Sequence, residues 1–410
     1  MLKYNEIPEI SASSHTTNVL LYRMKYLCSK LGNPQKKVKK PIVVTGTNGK
    51  GSTCRFLTAI LSQKYRVGML TSPHLDNHRE RISINGEPIS EEDFAKYYNR
   101  VIRKAEALKS EGMSNPTDTE IVTLMAFLYF IDNDTDYNVL EVGIGGLVDC
   151  VNVIEHRVLS IITNIDYEHA LSIGPGMFGI TSHKLAVITE NTPVVTGCSD
   201  DSTLLSMRET CWYLKSPLYV LNQDFPHYNG RLSLHGDYQK DNAAIAIKAA
   251  EILEPGISLN DVLKDVTNPG RMETWNYKNY DILLDGAHNV HAIRALTKEL
   301  KSSPHIFVFT VTRYRDIYRM LRELLNPMDT LVLVQLDNVS VAAYDTNNFR
   351  KQNLIFSDYF VTRVDDALDV ACKRNQLYYG NEAEIVVCGS LYLVKKIRDI
   401  LIKNGAYYIR

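Results

Sequence analysis

Long apolar runs are missing from this sequence of 410 residues. No segment approaches the ~18 consecutive apolar residues that a membrane-spanning helix needs, and the opening MLKYNEIPEI lacks the apolar core of a secretory signal. We therefore expect a cytoplasmic protein with no membrane partner. An excess of charge is missing too. The 46 basic and 47 acidic side chains give a formal net charge of −1, which provides no overall attraction to nucleic acid.

Cysteine pairing motifs are also absent. The seven cysteines contain no CxxC pair, and their number is odd. This pattern argues against a disulfide framework or a zinc site and predicts buried, reduced thiols. The segment PQKKVKKP, with four lysines between Gln35 and Pro41, is interpreted as a solvated loop.

Short β-rich runs alternate with helical patterns along most of the chain. PIVVTG, RVGMLTS, YNVLEVG, VLSIITNI and TPVVTG are typical of strands. Ser52–Gln63 and the segments SEEDFAKYYNRVIRKAEAL, TEIVTLMAFLYFID and DYQKDNAAIAIKAAEIL are typical of helices. Continuous apolar strands between helices predict an α/β fold with a mostly parallel sheet covered on both faces.

A segment rich in turn residues, NPGRMETW, interrupts this alternation, which then restarts. YDILLDG, HIFVFTV, DTLVLVQL and EIVVCGS predict strands, while NVHAIRALTKELKS and LYLVKKIRDILIK predict helices. At ~100 to 200 residues per domain, two domains are the leading expectation and three are possible. We place the boundary near Asn268–Arg271, which gives a larger unit of residues 1–268 and a smaller Rossmann-like domain of residues 269–410.

A glycine-rich segment, GTNGKGS at 46–52, lies where the first core strand should end and a helix begin. Glycines let backbone N–H groups turn toward phosphate oxygens, and the helix N-terminus adds positive potential. Lys50 can reach the β- and γ-phosphates of a nucleotide, and the Ser52 hydroxyl can ligate Mg²⁺. The spacing is tighter than GxxxxGK[ST], so a glycine-rich turn without a ligand is the alternative.

Titratable residues follow two further strands. Glu141 is predicted at the carboxyl end of its strand, the usual ligand edge of an open α/β sheet, where it could ligate Mg²⁺ or be a surface carboxylate. His169, in ITNIDYEHA, shares this predicted edge and is either a site residue or structural. Lys184 has no local signal that sets it apart from a solvated helix lysine.

A strand–helix junction in the second domain, LLDGAHNVHA, carries Asp285 and His288. The two residues could contact a substrate or nucleotide, or they could cap the helix. Together, the motifs predict an enzyme that uses ATP and Mg²⁺ in a cleft between two α/β domains. They leave the acceptor open.

The motifs, in their order, resemble the folylpolyglutamate synthase/dihydrofolate synthase family of the Mur ligase superfamily. The similar segments span nearly the whole chain: LGNPQ, VTGTNGKGS, TSPHLDNHRERISINGEPI, EVGIGG, the pair Asp149 and Asn152, LHGDYQKDNAAIA, PGRME, DGAHN and GSLYLV. The resemblance implies a P-loop mononucleotide-binding domain with a folate-side loop and a smaller Rossmann-like C-terminal domain. It also implies an ATP-dependent amide ligase, in which a carboxylate attacks the γ-phosphorus of ATP and the amine of glutamate then displaces phosphate.

The resemblance also implies the role of each site residue. Lys50, Lys184, His169, Asp285 and His288 would be catalytic. The remaining residues fall into three groups, for ATP, metal and substrate. ATP would be bound by Thr47, Asn48, Gly49, Lys50, Gly51, Ser52, Gln239, Asn242, Arg271 and Asp285. Mg²⁺, expected as two ions, would be ligated by Ser52, Glu141, His169 and a carbamoylated Lys184. The substrate side would include Ser72, Pro73 and Arg81 on a mobile loop and Ser390 near the glutamate pocket.

Some positions depart from the family pattern. Leu147 stands where arginine is common, Glu168 replaces an aspartate before the expected metal-ligating histidine, and Val290 replaces a proline. Tyr314 stands where an acid is common. These changes affect the substrate side more than the phosphate site. The resemblance implies an enzyme that adds L-glutamate in γ-linkage to a reduced folate, with dihydropteroate or another carboxylic acid as the alternative acceptor. We also expect a monomer. A nucleotide-binding module with decayed activity is the alternative of a different class.

Overall fold

The computed structural model describes residues 2–8, 21–168, 173–174, 176–259, 261–301, 304–312, 315–336, 354 and 358–409. The chain divides into two units, one of residues 1–233 and 238–267 and one of residues 234–237 and 268–410. Each unit is built on one sheet. No helix within these ranges is long and apolar enough to cross a membrane.

The first unit contains an eight-stranded sheet in the order β4-β3-β2-β5-β1-β6-β7-β8. Its strands are β1 Pro41–Thr45, β2 Val67–Leu70, β3 Ile82–Ile84, β4 Glu87–Pro88, β5 Tyr137–Glu141, β6 Leu159–Ile162, β7 Val194–Thr196 and β8 Leu218–Val220. The six strands β2, β5, β1, β6, β7 and β8, in this order across the sheet, pair in parallel. Strands β3 and β4 add an antiparallel edge. Every residue of β1 and β5 is buried, as expected for central parallel strands covered on both faces.

Eight α-helices are described in the first unit. They are α1 Leu21–Lys30, α2 Lys50–Ser62, α3 Glu91–Ala105, α4 Ala107–Ser110, α5 Asp118–Asp132, α6 Gly176–Leu185, α7 Asp201–Tyr213 and α8 Tyr238–Leu253. Helix α3 begins as its sequence predicts, because the Ser90 side chain accepts a hydrogen bond from the Asp93 N–H at 3.0 Å and acidic residues fill the first turn.

The second unit contains a seven-stranded sheet in the order β13-β12-β11-β14-β10-β9-β15. Its strands are β9 Glu273–Tyr277, β10 Tyr280–Leu284, β11 His305–Phe309, β12 Thr330–Gln335, β13 Asp358–Arg363, β14 Glu384–Cys388 and β15 Tyr407–Tyr408. The described helices are α9 Val290–Thr297, α10 Ile317–Leu324, α11 Ala367–Tyr379 and α12 Leu391–Lys403. Five strands pair in parallel, and β9 and β15 are antiparallel.

The predicted α/β class and the mostly parallel sheets are confirmed, but two local predictions are wrong. NPGRMETW is not only a turn, since Glu273 begins strand β9. That strand forms a hairpin with β10 across Lys278 and Asn279, which both have positive φ and lack the glycine that usually marks such a turn. The helix predicted over NVHAIRALTKELKS ends at Thr297, whose hydroxyl donates to the Arg294 carbonyl.

The cysteine prediction is confirmed. All seven side chains are buried and free. Burial raises the pKa of the Cys54, Cys150 and Cys388 thiols well above the usual value, which keeps them protonated.

Candidate active site

A glycine-rich loop joins β1 to α2 and passes close to two neighbouring segments. Gly46 has φ +148° and Gly49 has φ +81°. A β-carbon on Gly46 would lie 1.8 Å from Thr163 Oγ1, and one on Gly49 would lie 2.2 Å from Asn242 Oδ1. Both positions therefore require glycine, for conformation and for space.

The loop is held by the segment that follows β6. The Thr47 N–H donates to the Asn164 carbonyl and the Asn48 N–H to Asn164 Oδ1, each at 2.9 Å. The Thr163 hydroxyl donates to the Asn48 carbonyl at 2.6 Å, and the Asp166 N–H donates to Thr47 Oγ1 at 2.9 Å. Thr47 and Asn48, both predicted to bind ATP, thus use their N–H groups within the fold. The N–H groups at the start of α2 remain the ones suited to an anion.

Lys50, the first residue of α2, folds back over this loop. Its ammonium donates to the carbonyl oxygens of Gly46 and Thr47, each at 3.1 Å. The positive charge therefore lies directly over the loop that Gly49 shapes. A phosphate cradled there would find the lysine within reach.

Two side chains whose oxygen atoms could ligate a metal ion lie beside the start of α2. Ser52 and Glu141 are both buried, and Glu141 is the last residue of β5. A β-carbon on Gly51 would lie 3.5 Å from Glu141 Oε2, so this carboxylate faces the helix start. The same oxygen accepts a hydrogen bond from the Ser72 N–H at 3.1 Å. A hydroxyl and a carboxylate are donors that suit Mg²⁺, so the residues present fit that ion.

Asp149 organises the loop after β5. Its carboxylate accepts hydrogen bonds from the N–H groups of Gly143 at 2.9 Å, Ile144 at 3.1 Å and Val151 at 2.9 Å. Burial raises the pKa of Asp149, and these donors oppose the rise. From the sequence, Asp149 was noted only as part of a motif shared with the family. A carboxylate that follows consecutive glycines is the signal that could have marked it as the anchor of the loop.

Lys184 lies in α6 and is only 3% exposed, so it is not the solvated lysine that its local sequence allows. Burial, and to a lesser extent the nearby charge of Lys50, lower its pKa from 10.5 to about 7, against the opposing effects of Glu168 and Cys198. A lysine in this state has a substantial neutral fraction near neutral pH. His169, predicted as a metal ligand, lies outside the described residues. Among the described ones, no group of three His, Cys, Asp or Glu side chains has a metal-binding arrangement.

Gln239 and Asn242 lie on α8 and were predicted to meet the nucleotide. Gln239 is fully buried, and Asn242 is 6% exposed. The Asn242 amide donates to Gln239 Oε1 at 3.0 Å, and its own Oδ1 faces Gly49. The structure therefore brings this pair against the glycine-rich loop itself.

Three of the residues predicted on the substrate side lie in the segment after β2. Ser72 is partly buried, Pro73 is exposed, and the peptide bond between them is cis. Arg81 is 3% exposed, and its Nε donates to His74 Nδ1 at 3.1 Å. Arg81 is thus part of the packed structure, within the helical turn His78–Arg81.

The second unit gathers its own set of predicted residues around Asp285, which follows β10. This carboxylate accepts from the Met272 N–H at 3.0 Å and the Ala287 N–H at 2.8 Å. Burial raises the pKa of Asp285, and the charges of Arg271 and His288 oppose the rise. A β-carbon on Gly286 would lie 2.4 Å from Arg271 Nη1, so the guanidinium lies over this loop.

His288 and Ser390 also take defined positions in this unit. His288 Nδ1 lies 2.8 Å from the Gly286 carbonyl, and since a carbonyl only accepts, Nδ1 carries a proton. Ser390 is buried and caps α12 by accepting from the Tyr392 N–H at 3.2 Å. It follows β14, which lies between β11 and β10, where the strand order reverses.

Comparisons with known proteins find similar sequences and structures for both units of the chain. A family model described as the Mur ligase middle domain matches residues 44–175, and one described as the dihydrofolate synthetase C-terminal domain matches residues 270–400. The dihydrofolate synthetase of Saccharomyces cerevisiae is 32% identical, over 93% of this chain and 97% of the relative. The dihydrofolate synthase/folylpolyglutamate synthase of Bacillus subtilis is 30% identical, over 93% and 94%. A Mycobacterium tuberculosis folylpolyglutamate synthase structure, complexed with ADP and AMPPCP, superposes with a TM-score of 0.83 at 25% identity, over 93% and 95%.

Proposed function

Because the chain belongs to the folylpolyglutamate synthase/dihydrofolate synthase family of the Mur ligase superfamily, we propose that it is an ATP-dependent ligase that adds L-glutamate in γ-linkage to a reduced folate. The observation that carries this proposal is the arrangement around α2. A loop that only glycine fits lies under Lys50, and the Glu141 carboxylate faces the start of the same helix. This is the arrangement that phosphoryl transfer needs.

The proposed reaction has two steps. A folate carboxylate oxygen bonds to the γ-phosphorus as the bond to the β-phosphate oxygen breaks, which releases ADP and leaves an acyl phosphate. The glutamate nitrogen then bonds to the acyl carbon, and phosphate leaves. Lys50 and the N-terminus of α2 would hold the phosphates, and Arg271 and Asp285 would bind ATP from the second unit. His288 would take the proton that the amine loses, since an imidazole can act as a general base.

Ser52 and Glu141 would hold Mg²⁺, which neutralises phosphate charge when bound. Lys184 would join them as a carbamate, because its neutral amine nitrogen can bond to the carbon of carbon dioxide and release one proton to solvent, which leaves an anion. Its lowered pKa supports this role. We expect Lys184→Ala to fold and to lose turnover, and a small added carboxylate to restore part of it. Unchanged turnover in Lys184→Ala would contradict the role.

A second candidate acceptor is dihydropteroate, which would make the protein a dihydrofolate synthase. Two observations favour it. The second unit matches the dihydrofolate synthetase C-terminal domain, and the yeast relative that is 32% identical carries that name. The chemistry is the same in both cases, since each acceptor supplies a carboxylate.

The test is to incubate the protein with ATP, Mg²⁺ and glutamate, together with either tetrahydrofolate or dihydropteroate. Phosphate release and a product that is one glutamyl residue heavier identify the acceptor. Lys50→Met should abolish both signals, whereas Lys64→Met, just beyond the far end of α2, should retain them. A well-folded preparation that binds ATP but turns over neither acceptor overturns the proposal. That outcome would instead support another carboxylic acid or a non-catalytic nucleotide-binding module.

A further inference from the structure

Glu273 is a buried carboxylate that the proposed mechanism does not use. It is the first residue of β9 and is 6% exposed. It pairs in the sheet with Leu284, the residue just before Asp285. A carboxylate this deeply buried is unfavourable unless it is hydrogen-bonded and paired. The groups that contact the Glu273 carboxylate therefore indicate its structural role.

Those partners come from three parts of the second unit. Oε1 accepts from the Gly270 N–H at 3.2 Å, and Oε2 accepts from Trp275 Nε1 at 3.2 Å. Arg398 Nε, from helix α12, lies 3.3 Å from Oε2. Glu273 thus joins the segment before β9 to the helix that Ser390 caps.

The segment before β9 is the one that carries Arg271. Gly270 and Met272, on either side of Arg271, both have positive φ, at +77° and +51°. The Gly270 carbonyl accepts from the Gly286 N–H at 2.8 Å, and the Met272 N–H donates to Asp285 at 3.0 Å. Arg271 is therefore held on both sides, and Glu273 holds the Gly270 side through its N–H.

We propose that Glu273 is a positioning residue that sets Arg271 against the Asp285–Gly286 loop for nucleotide binding. The inference rests on the proposed function, because Arg271 is expected to contact ATP. Without the Glu273 carboxylate, the Gly270 N–H and the Trp275 indole lose an acceptor, and Arg398 loses an anionic partner. The turn before β9 then loses one of its three attachments, and the guanidinium over Gly286 loses its fixed position.

The test is a double-mutant cycle on the full-length protein, measured as the dissociation constant for Mg²⁺·ATP without acceptor or glutamate. We expect Glu273→Ala and Arg271→Ala each to weaken binding by about tenfold, the scale of one lost charged contact. If Glu273 acts through Arg271, the double variant should be no weaker than the worse single variant. Glu273→Gln keeps one acceptor oxygen, so its loss should be smaller and also non-additive. It serves as the first variant if Glu273→Ala does not fold.

Glu384→Ala is the matched control. Glu384 is the first residue of β14 in the same sheet, and it accepts from the Lys301 N–H at 3.4 Å and lies 3.8 Å from His305 Nε2. Its removal should lower the melting temperature without changing ATP affinity. Additive losses in ATP affinity would overturn the positioning role but not the proposed function. A Glu273→Ala variant with a lower melting temperature that binds ATP like the wild type would do the same. A wild-type protein that binds no ATP would overturn the proposed function with it.

Discussion

The carboxylate of Glu141 accepts a hydrogen bond from the backbone N–H of Ser72, with 3.1 Å between Oε2 and the nitrogen. Glu141 ends β5, and Ser72 lies in the segment that follows the neighbouring strand β2. The same oxygen faces the start of α2 at Gly51. One side chain therefore links the start of α2, the proposed phosphate side, to the segment after β2, the proposed substrate side.

Because of this contact, a substitution can separate the effect of the Glu141 charge from the effect of its hydrogen bond. Glu141→Gln keeps an oxygen that can accept from Ser72 and removes the negative charge. We expect the variant to fold with a nearly unchanged melting temperature and to lose at least about tenfold in Mg²⁺ affinity, because a neutral amide is a weaker ligand for a hard cation. Turnover measured against Mg²⁺ concentration checks this.

Asp136→Asn provides the control for that experiment. Asp136 stands just before the other end of β5, where its carboxylate accepts from the Arg66 N–H at 2.8 Å. The change removes one charge and keeps one acceptor, as at Glu141. Its Mg²⁺ dependence should match the wild type. Glu141→Gln with an unchanged Mg²⁺ dependence would show that Glu141 does not ligate the ion.

Two glycines with similar φ angles allow a second prediction. Gly49 has φ +81° and Gly86 has φ +85°. Among the described residues, a β-carbon on Gly86 meets no heavy atom within 4 Å, whereas one on Gly49 meets Asn242 Oδ1. Alanine should cost about 1–2 kcal/mol at either position, for the left-handed backbone alone. Only Gly49→Ala should cost more than this and raise the KM for ATP.

Denaturant unfolding and ATP kinetics of both variants measure the difference. The double variant Gly49→Ala/Asn242→Ala removes the colliding oxygen and should recover part of the excess loss. Equal effects of Gly49→Ala and Gly86→Ala would mean that the loop can move away from Asn242.

The sequence predicts those parts of the fold whose signals are local. The apolar run at Pro41–Thr45 and the glycines that follow it are such signals, and both predictions hold in the structure. β9 was missed because it exists through pairing with β10, across a turn without glycine. The antiparallel edge of β3 and β4 was missed for the same reason, since these strands have only three and two residues.

The residues of the candidate site also divide into those with a local sequence signal and those without one. Lys50 and Ser52 lie in a motif that carries its own chemistry. The burial of Lys184 and the contact of Asn242 with Gly49 join residues that are distant in sequence, and no local pattern records them. Glu273 is a further example, because its partner Arg398 becomes a neighbour only when helix α12 packs on the sheet.

The pKa of Lys184 leads to a prediction about stability and pH. Burial and Lys50 lower this pKa to about 7, whereas an unfolded lysine has a pKa near 10.4. Between these values the unfolded chain holds a proton that the folded chain does not, so the free energy of unfolding rises with pH. Below pH ~7 the folded protein carries the full cost of a buried ammonium. In buffers free of carbon dioxide, Lys184→Met should therefore gain most over the wild type at pH 6 and least near pH 10. A difference that does not change with pH would contradict the lowered pKa.

A buried ion pair provides the last prediction. Arg23 and Glu120 are 3% and 0% exposed and join helices α1 and α5 through 2.9 Å and 2.7 Å contacts from Nε and Nη2. Glu120→Gln leaves the buried guanidinium without its carboxylate, which should cost about 3–5 kcal/mol in the free energy of unfolding. Asp134→Asn removes a carboxylate from the exposed pair with Lys39, at 2.6 Å, and should change stability little because solvent screens that pair. Denaturant unfolding of both variants decides the matter, since equal losses would mean that burial adds nothing to the Arg23–Glu120 pair.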